Sequence, residues 1–191
     1  MPKRVTYQLR IVLLHAKPPI WRRVLVPPTM HLDILHLVIQ VVMGWEDRHL
    51  HMFRQGDRRY GMPDPWRNQF RMPGTPRELD ERKYRIHHLL AREGDSLTYM
   101  YDFGDSWEHK VTLQKILPYK RGSRLPACIS GRRRCPPEDC GGVWGYEEML
   151  ESLANPKAED HERVKEWIGG DFDPEAFSAR EVDRELAEEE W

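Results

Sequence analysis

The sequence predicts an α+β protein: an antiparallel sheet carrying one early helix, with a C-terminal helical set packed on it. Three observations point there. Apolar residues alternate with polar ones near the start and again over residues 97–116, the period of a strand with one buried face. One run, residues 32–42, has helical spacing instead. From Gly145 onward the pattern is helical throughout, and strands followed by helices in chain order define this class.

The first strand is "RVTYQLRIVLLH", where Val5, Tyr7, Leu9, Ile11 and Leu13 alternate. Prolines bound a second strand, Ile20 to Val26. In "TMHLDILHLVIQVVMGW", Leu32, Leu35, Ile39 and Val42 form one helical stripe. Thr29 is the expected N-cap, Asp33 suits the positive end of the helix dipole, and Gly44 stops the helix. His36 falls on the stripe and reads as a hydrogen-bonded core histidine rather than a ligand.

"HLHMFRQG" reads as a strand that places His49, His51 and Phe53 on one face. A weak strand near Arg59 and a long surface loop are expected over residues 56–83, then a short helix in "YRIHHLLARE". "SLTYMYDFGDSWEHKVTLQKI" is a hairpin. A three-residue turn would pair Phe103 with Trp107, Tyr101 with His109, Tyr99 with Val111 and Leu97 with Leu113. That register sets His109 among aromatics and points Asp102 to the other face. Three helices follow, in "GYEEMLESLAN", "EDHERVKEWIGG" and "DPEAFSAREVDRELAEEE", the last with Pro174 at its start.

The 191 residues suit a single domain over 1–191, with an acidic helix at about 174–191 as an appendage. The mixed charge of 32% and the seven tryptophans exclude a disordered chain. No apolar run reaches the roughly 20 residues of a membrane helix, and "MPKRVTYQLR" is no signal peptide, so a cytoplasmic protein with no membrane partner is expected. Residues 157–191 carry 5 basic and 13 acidic side chains, a balance of -8, against +7 for the rest. Either the basic body meets nucleic acid, or the acidic tail folds back on it. The dispersed excess favours the second.

Four groups of residues could carry chemistry. Cys128, Cys135 and Cys140 are spaced close to, but off, the pattern of a structural zinc site. They are either ligands, with His109, His49 or His51 as a fourth, or free thiols. His49, His51, Asp102, Asp105, His109, Glu138 and Asp139 could hold a divalent cation such as zinc, or could form a buried hydrogen-bond network. Trp21, Arg22 and Arg23 beside Arg132, Arg133 and Arg134 suit phosphate contact, or stacking and ion pairs within the protein. "DFG" at Asp102–Gly104 is not a kinase motif, because no glycine-rich nucleotide loop or "HRD" accompanies it. The loop "CPPEDCGG" is expected to be stiff and to present Glu138 and Asp139 near a helix N-terminus.

Taken together, "YQLRIVLLHAKPPIWRRVLVP", "LHLVIQVVMGWEDRHLHMF", "YMYDFGDSWEHKVTLQKI", "CISGRRRCPPEDCGGVWGYEEML" and "WIGGDFDPEAFS" resemble the plasmid pRiA4b ORF-3-like family over roughly residues 4–178. Some members are described as passengers of insertion elements. The resemblance implies a fold and an accessory setting beside mobile DNA, and no reaction; nothing here resembles recombinase chemistry. Two functions therefore stand. One is a binding or accessory protein with nucleic acid or another protein as partner. The other is a metal-dependent hydrolase of nuclease or phosphoesterase type, with His49, His51, Asp102 and His109 as ligands, Glu138 as base, and Asp105 and Asp139 as further candidates. The expected register separates Asp102 from His109 and so favours the first.

Overall fold

The computed structural model describes residues 4–62 and 78–191. Among these residues eight strands form one sheet: β1 (Val5–Leu13), β2 (Trp21–Val26), β3 (His51–Gln55), β4 (Arg58–Gly61), β5 (Glu78–Asp80), β6 (Ser96–Tyr101), β7 (Trp107–Pro118) and β8 (Ala127–Arg132). Their order is β5-β4-β3-β6-β7-β1-β2-β8. Every pairing is antiparallel except β4 with β5. The α-helices among the described residues are α1 (Leu32–Met43), α2 (Ile86–Leu89), α3 (Gly142–Ala154), α4 (His161–Trp167) and α5 (Ala179–Glu188). The long loop expected over 56–83 lies partly outside the described residues; its ends form β4, β5 and a turn of 3-10 helix, Glu81–Lys83.

Alternation decides which side of the sheet is covered. Leu9, Ile11, Val24, Val26, Tyr99, Trp107, Val111 and Leu113 are all buried on one face, with the α1 stripe Leu32, Leu35, Ile39 and Val42 in the same core. The α1 start differs from expectation. Its N-cap is His31, not Thr29, and makes no side-chain cap; the Leu32 N–H instead donates to the Tyr84 carbonyl at 3.0 Å. The helix ends at Gly44, whose φ of 80° is the left-handed turn that glycine adopts without strain.

The central hairpin departs from the expected register by two residues. Tyr101 pairs with Trp107, Tyr99 with His109 and Leu97 with Val111. The connection is residues 102–106. The Asp102 carboxylate accepts the Gly104 N–H at 2.9 Å, and the Asp102 carbonyl accepts the Ser106 N–H at 2.6 Å. These bonds close a loop longer than the three-residue turn. A shift of two preserves side-chain parity, so Leu97, Tyr99, Tyr101, Trp107, His109 and Val111 still share the buried face. Phe103 drops off the strand and is 37% exposed.

At the C-terminal end, α5 begins at Ala179 rather than near Pro174. Ser178 caps it by accepting the Glu181 N–H at 3.3 Å. Phe177, just upstream, lies under the Arg22 guanidinium. The helix packs on β8 and α1 and buries Leu186 fully. Among the described residues, no helix is long and apolar enough to cross a membrane.

Candidate functional site

Three segments meet at one end of the sheet: the 44–50 turn after α1, the 102–106 hairpin loop, and the 135–142 loop that leads into α3. Backbone and side-chain bonds lock them together. The Trp45 indole N–H donates to the Pro136 carbonyl at 2.9 Å, and the Asp102 N–H donates to the Leu50 carbonyl at 2.9 Å. The Gly141 N–H donates to Asp105 Oδ2 at 3.1 Å. The Tyr101 hydroxyl donates to Glu138 Oε1 and accepts the Arg48 N–H at 2.9 Å. Glu138 Oε1 also accepts the Glu46 N–H at 3.3 Å. Burial and the neighbouring Glu138 carboxylate hold the Tyr101 hydroxyl protonated far above its ordinary range.

Inside this junction His49 Nε2 faces two carboxylates. It lies 3.1 Å from Asp139 Oδ1 and 3.8 Å from Asp102 Oδ2, and the three residues can place one ligand atom each within 4.8 Å of one another. His49 Nε2 is itself buried and makes no hydrogen bond, because neither carboxylate meets it in hydrogen-bonding geometry. A nitrogen that is aimed between two acids without donating to either has the disposition of a ligand. The backbone around it is strained: Asp47, Asp102, Ser106 and Asp139 all have left-handed φ, between 52° and 58°. Asp tolerates this region better than most residues, and such strain concentrates at functional sites. Asp139 is exposed and opens on a cavity of about 550 Å³ that Glu138, Arg48 and Arg134 also line.

The structure thus brings His49, Asp102 and Asp139 together, and ties Asp105 and Glu138 into the same junction. It does not bring His51 or His109 there. His49 precedes β3 instead of continuing it, so it does not share the face of His51 and Phe53. His109 is fully buried, its Nδ1 is 3.1 Å from the Trp107 carbonyl, and burial lowers its pKa to about 3. His51 belongs to a second cluster. Its ring stacks on His36, and its Nε2 is 2.9 Å from Glu81.

In that cluster His36 contacts the Tyr99 hydroxyl and Asp47 Oδ1, each at 2.8 Å, and Tyr99 accepts from Gln40 at 2.8 Å. His36, Asp47 and His51 also converge within ligand range. Unlike His49, though, His36 has a partner for each ring nitrogen, so this is a closed network holding α1 to the sheet. The Asp47 and Glu81 members were missed in the sequence, and their signal there is slight: one lies in a turn, the other beyond the long loop.

No candidate ligand group among the described residues includes a cysteine. Cys128 faces the Ser130 carbonyl, Cys135 contacts Met43 and the Arg22 guanidinium, and Cys140 faces the Gly142 carbonyl. Burial raises all three thiols, Cys128 to about 11 and Cys140 to about 12.

Most of the candidate arginines point inward or are occupied. Arg22 is only 2% exposed and donates to the Val42, Trp21 and Arg132 carbonyls. Arg133 is buried against Glu175, and Arg134 stacks on Phe172. Arg132 contributes its carbonyl to Arg22 and is exposed. Trp21 and Arg23 lie on the opposite, outer face of the sheet.

Fold and junction together define an α+β protein built on a mixed eight-stranded sheet, with a histidine–carboxylate cluster where three loops meet. The chain belongs to the plasmid pRiA4b ORF-3-like protein family, whose model matches residues 5–181. It is 37% identical over 180 residues to the uncharacterized protein y4hQ of Sinorhizobium fredii, covering 93% of this chain and 88% of that protein. It is also similar to the crystal structure of MM3350, a protein of unknown function from Methanosarcina mazei Go1. That match has 38% identity and a TM-score of 0.83, and covers 94% of this chain and 98% of that one.

Proposed function

We propose that the protein binds a divalent cation at His49, Asp102 and Asp139 and uses it to hydrolyse an anionic ester. The observation that carries this reading is the buried His49 Nε2, which faces two carboxylates yet donates to neither. One nitrogen and two carboxylate oxygens suit Mn²⁺ or Zn²⁺. When bound, such a cation polarises a substrate oxygen and makes water more acidic.

The rest of the chemistry belongs to side chains. Asp102 is held by its own loop and fixes one side of the site. Asp139 is exposed and can adjust to substrate. Arg48, paired with Glu46, and Arg134, stacked on Phe172, line the same cavity, and their positive charge suits a phosphate. Glu138 Oε1 is taken by Tyr101 and by the Glu46 N–H, which suits a positioning role better than that of a base.

Titration calorimetry with MnCl₂ or ZnCl₂ tests the site. One cation per chain is expected, with binding weakened at least ~10-fold in Asp102→Asn and in His49→Ala. Bis-p-nitrophenyl phosphate turnover that needs the cation would support the hydrolase. Cation binding without turnover of phosphate mono- or diesters leaves a binding or accessory role beside mobile DNA. A protein that takes up no cation removes the site altogether.

A further inference from the structure

The outer face of the sheet carries an arrangement that folding alone does not explain. Arg10 on β1 and Arg23 on β2 are direct cross-strand partners. Like charges in that position destabilise a sheet. Both guanidiniums lie 5.3 Å from the Trp21 ring centroid. Arg23 is held by Gln114 Oε1 at 2.9 Å and Ser130 Oγ at 3.3 Å, both neutral groups. Arg10 makes no hydrogen bond or ion pair among the described residues, and its Nε is buried without a partner. Alternation places Gln8, Val12, Lys110, Thr112 and Gln114 on the same face. Lys110 is exposed, and the acid nearest it on that face, Glu108 on the same strand, lies between Arg54 and His15; Glu78 lies four strands away on β5, opposite Arg59.

We infer that this face binds single-stranded nucleic acid, with a backbone phosphate seated between Arg10 and Arg23 beside Trp21. The anion would cancel the repulsion of the pair and supply the partner that Arg10 Nε lacks. Duplex DNA fits poorly, because its major groove admits a helix or a two-stranded ribbon but not a broad sheet. A single strand can lie across a sheet, its phosphates on arginines and its bases against aromatic and apolar side chains. Eight strands at ~4.8 Å spacing give a face roughly 35 Å wide, room for several nucleotides.

Anisotropy of a fluorescein-labelled 20-mer of deoxythymidine, at low salt and with EDTA present, tests this independently of the cation site. Micromolar binding that falls steeply with salt is expected, with a duplex of equal length at least ~10-fold weaker. Arg10→Gln should lose at least ~10-fold in affinity while melting no lower than the parent, since it relieves the Arg10–Arg23 repulsion. A purely structural arginine would move melting instead. Lys110→Gln, at an exposed position of the same face, should also weaken binding and lower the salt slope. Absent binding, equal duplex affinity, or unchanged affinity in both variants would overturn the inference.

Discussion

His36 and His51 stack face to face inside the protein, their ring centroids 3.4 Å apart and their planes within 8°. They come from α1 and β3, with Tyr99, Asp47 and Glu81 around them. Burial, and then the adjacent His51, lower the His36 pKa to about 3. His109 is lowered to about 3 by burial as well. Unfolded, both titrate near pH 6.5, so below that the unfolded chain takes up protons that the folded chain does not. Stability contributed by these two neutral rings is complete above about pH 6.5 and declines as the pH falls toward 3. Urea unfolding at stepped pH should show a loss of up to ~1.4 kcal/mol per pH unit for each histidine in that window. A midpoint that stays constant from pH 7 to 4.5 would contradict the assignment.

Arg22 holds three carbonyls and a thiol while its guanidinium lies over Phe177, 4.1 Å from the ring centroid. Arg22→Leu is expected to cost at least about 2 kcal/mol in thermal or chemical unfolding, since it orphans buried carbonyls. Arg22→Lys should recover only part of this, because an ammonium cannot reproduce the planar fork.

The thiols should be slow to react. With Cys128 raised to about 11 and Cys140 to about 12, little thiolate exists at pH 8. Folded protein should consume a thiol-reactive dye at least ~10-fold more slowly than protein in urea. A chelator should leave the circular dichroism spectrum unchanged. Rapid labelling of Cys135 or Cys140 in the folded protein would show the 135–142 loop opening.

Tyr101→Phe removes the donor to Glu138 and the acceptor of the Arg48 N–H. A loss of about 1–2 kcal/mol is expected, with cation affinity falling further than stability explains. Calorimetry of the variant at a temperature where it is fully folded separates the two effects.

Gly142 has a φ of 70°, and a Cβ there would lie 2.6 Å from the Asp105 carbonyl oxygen. Gly142→Ala should therefore push the 135–142 and 102–106 loops apart, lowering stability by about 1–3 kcal/mol and weakening cation binding. An alanine variant that binds as the parent does would show that the loops tolerate separation.

Much of this was legible in advance where alternation is strong. β1, β2, α1 and the hairpin's buried face follow from apolar spacing, because burial enforces parity. The hairpin register did not, since Asp102 turns the chain through its own hydrogen bonds and spacing carries no record of that. β8 was missed because "ACISGR" has too few branched residues to announce a strand; it forms because β2 needs a partner. His49, Asp102 and Asp139 were all named as candidates, but grouped with His51 and His109. Only the end of β3 at His51 separates His49 from that face.

The Asp183 carboxylate on α5 accepts the Cys128 N–H of β8 at 2.9 Å and pairs with Arg124. β8 is the last strand on its side of the sheet, where unpaired backbone groups invite another chain to add a strand. The acidic helix packs on β8 and takes one of its backbone N–H groups, so part of that edge is covered from within the chain. Where Asp183 is replaced by Ala or α5 is unfastened, the expected failure is strand addition between copies, seen as concentration-dependent oligomers while most of the core remains folded.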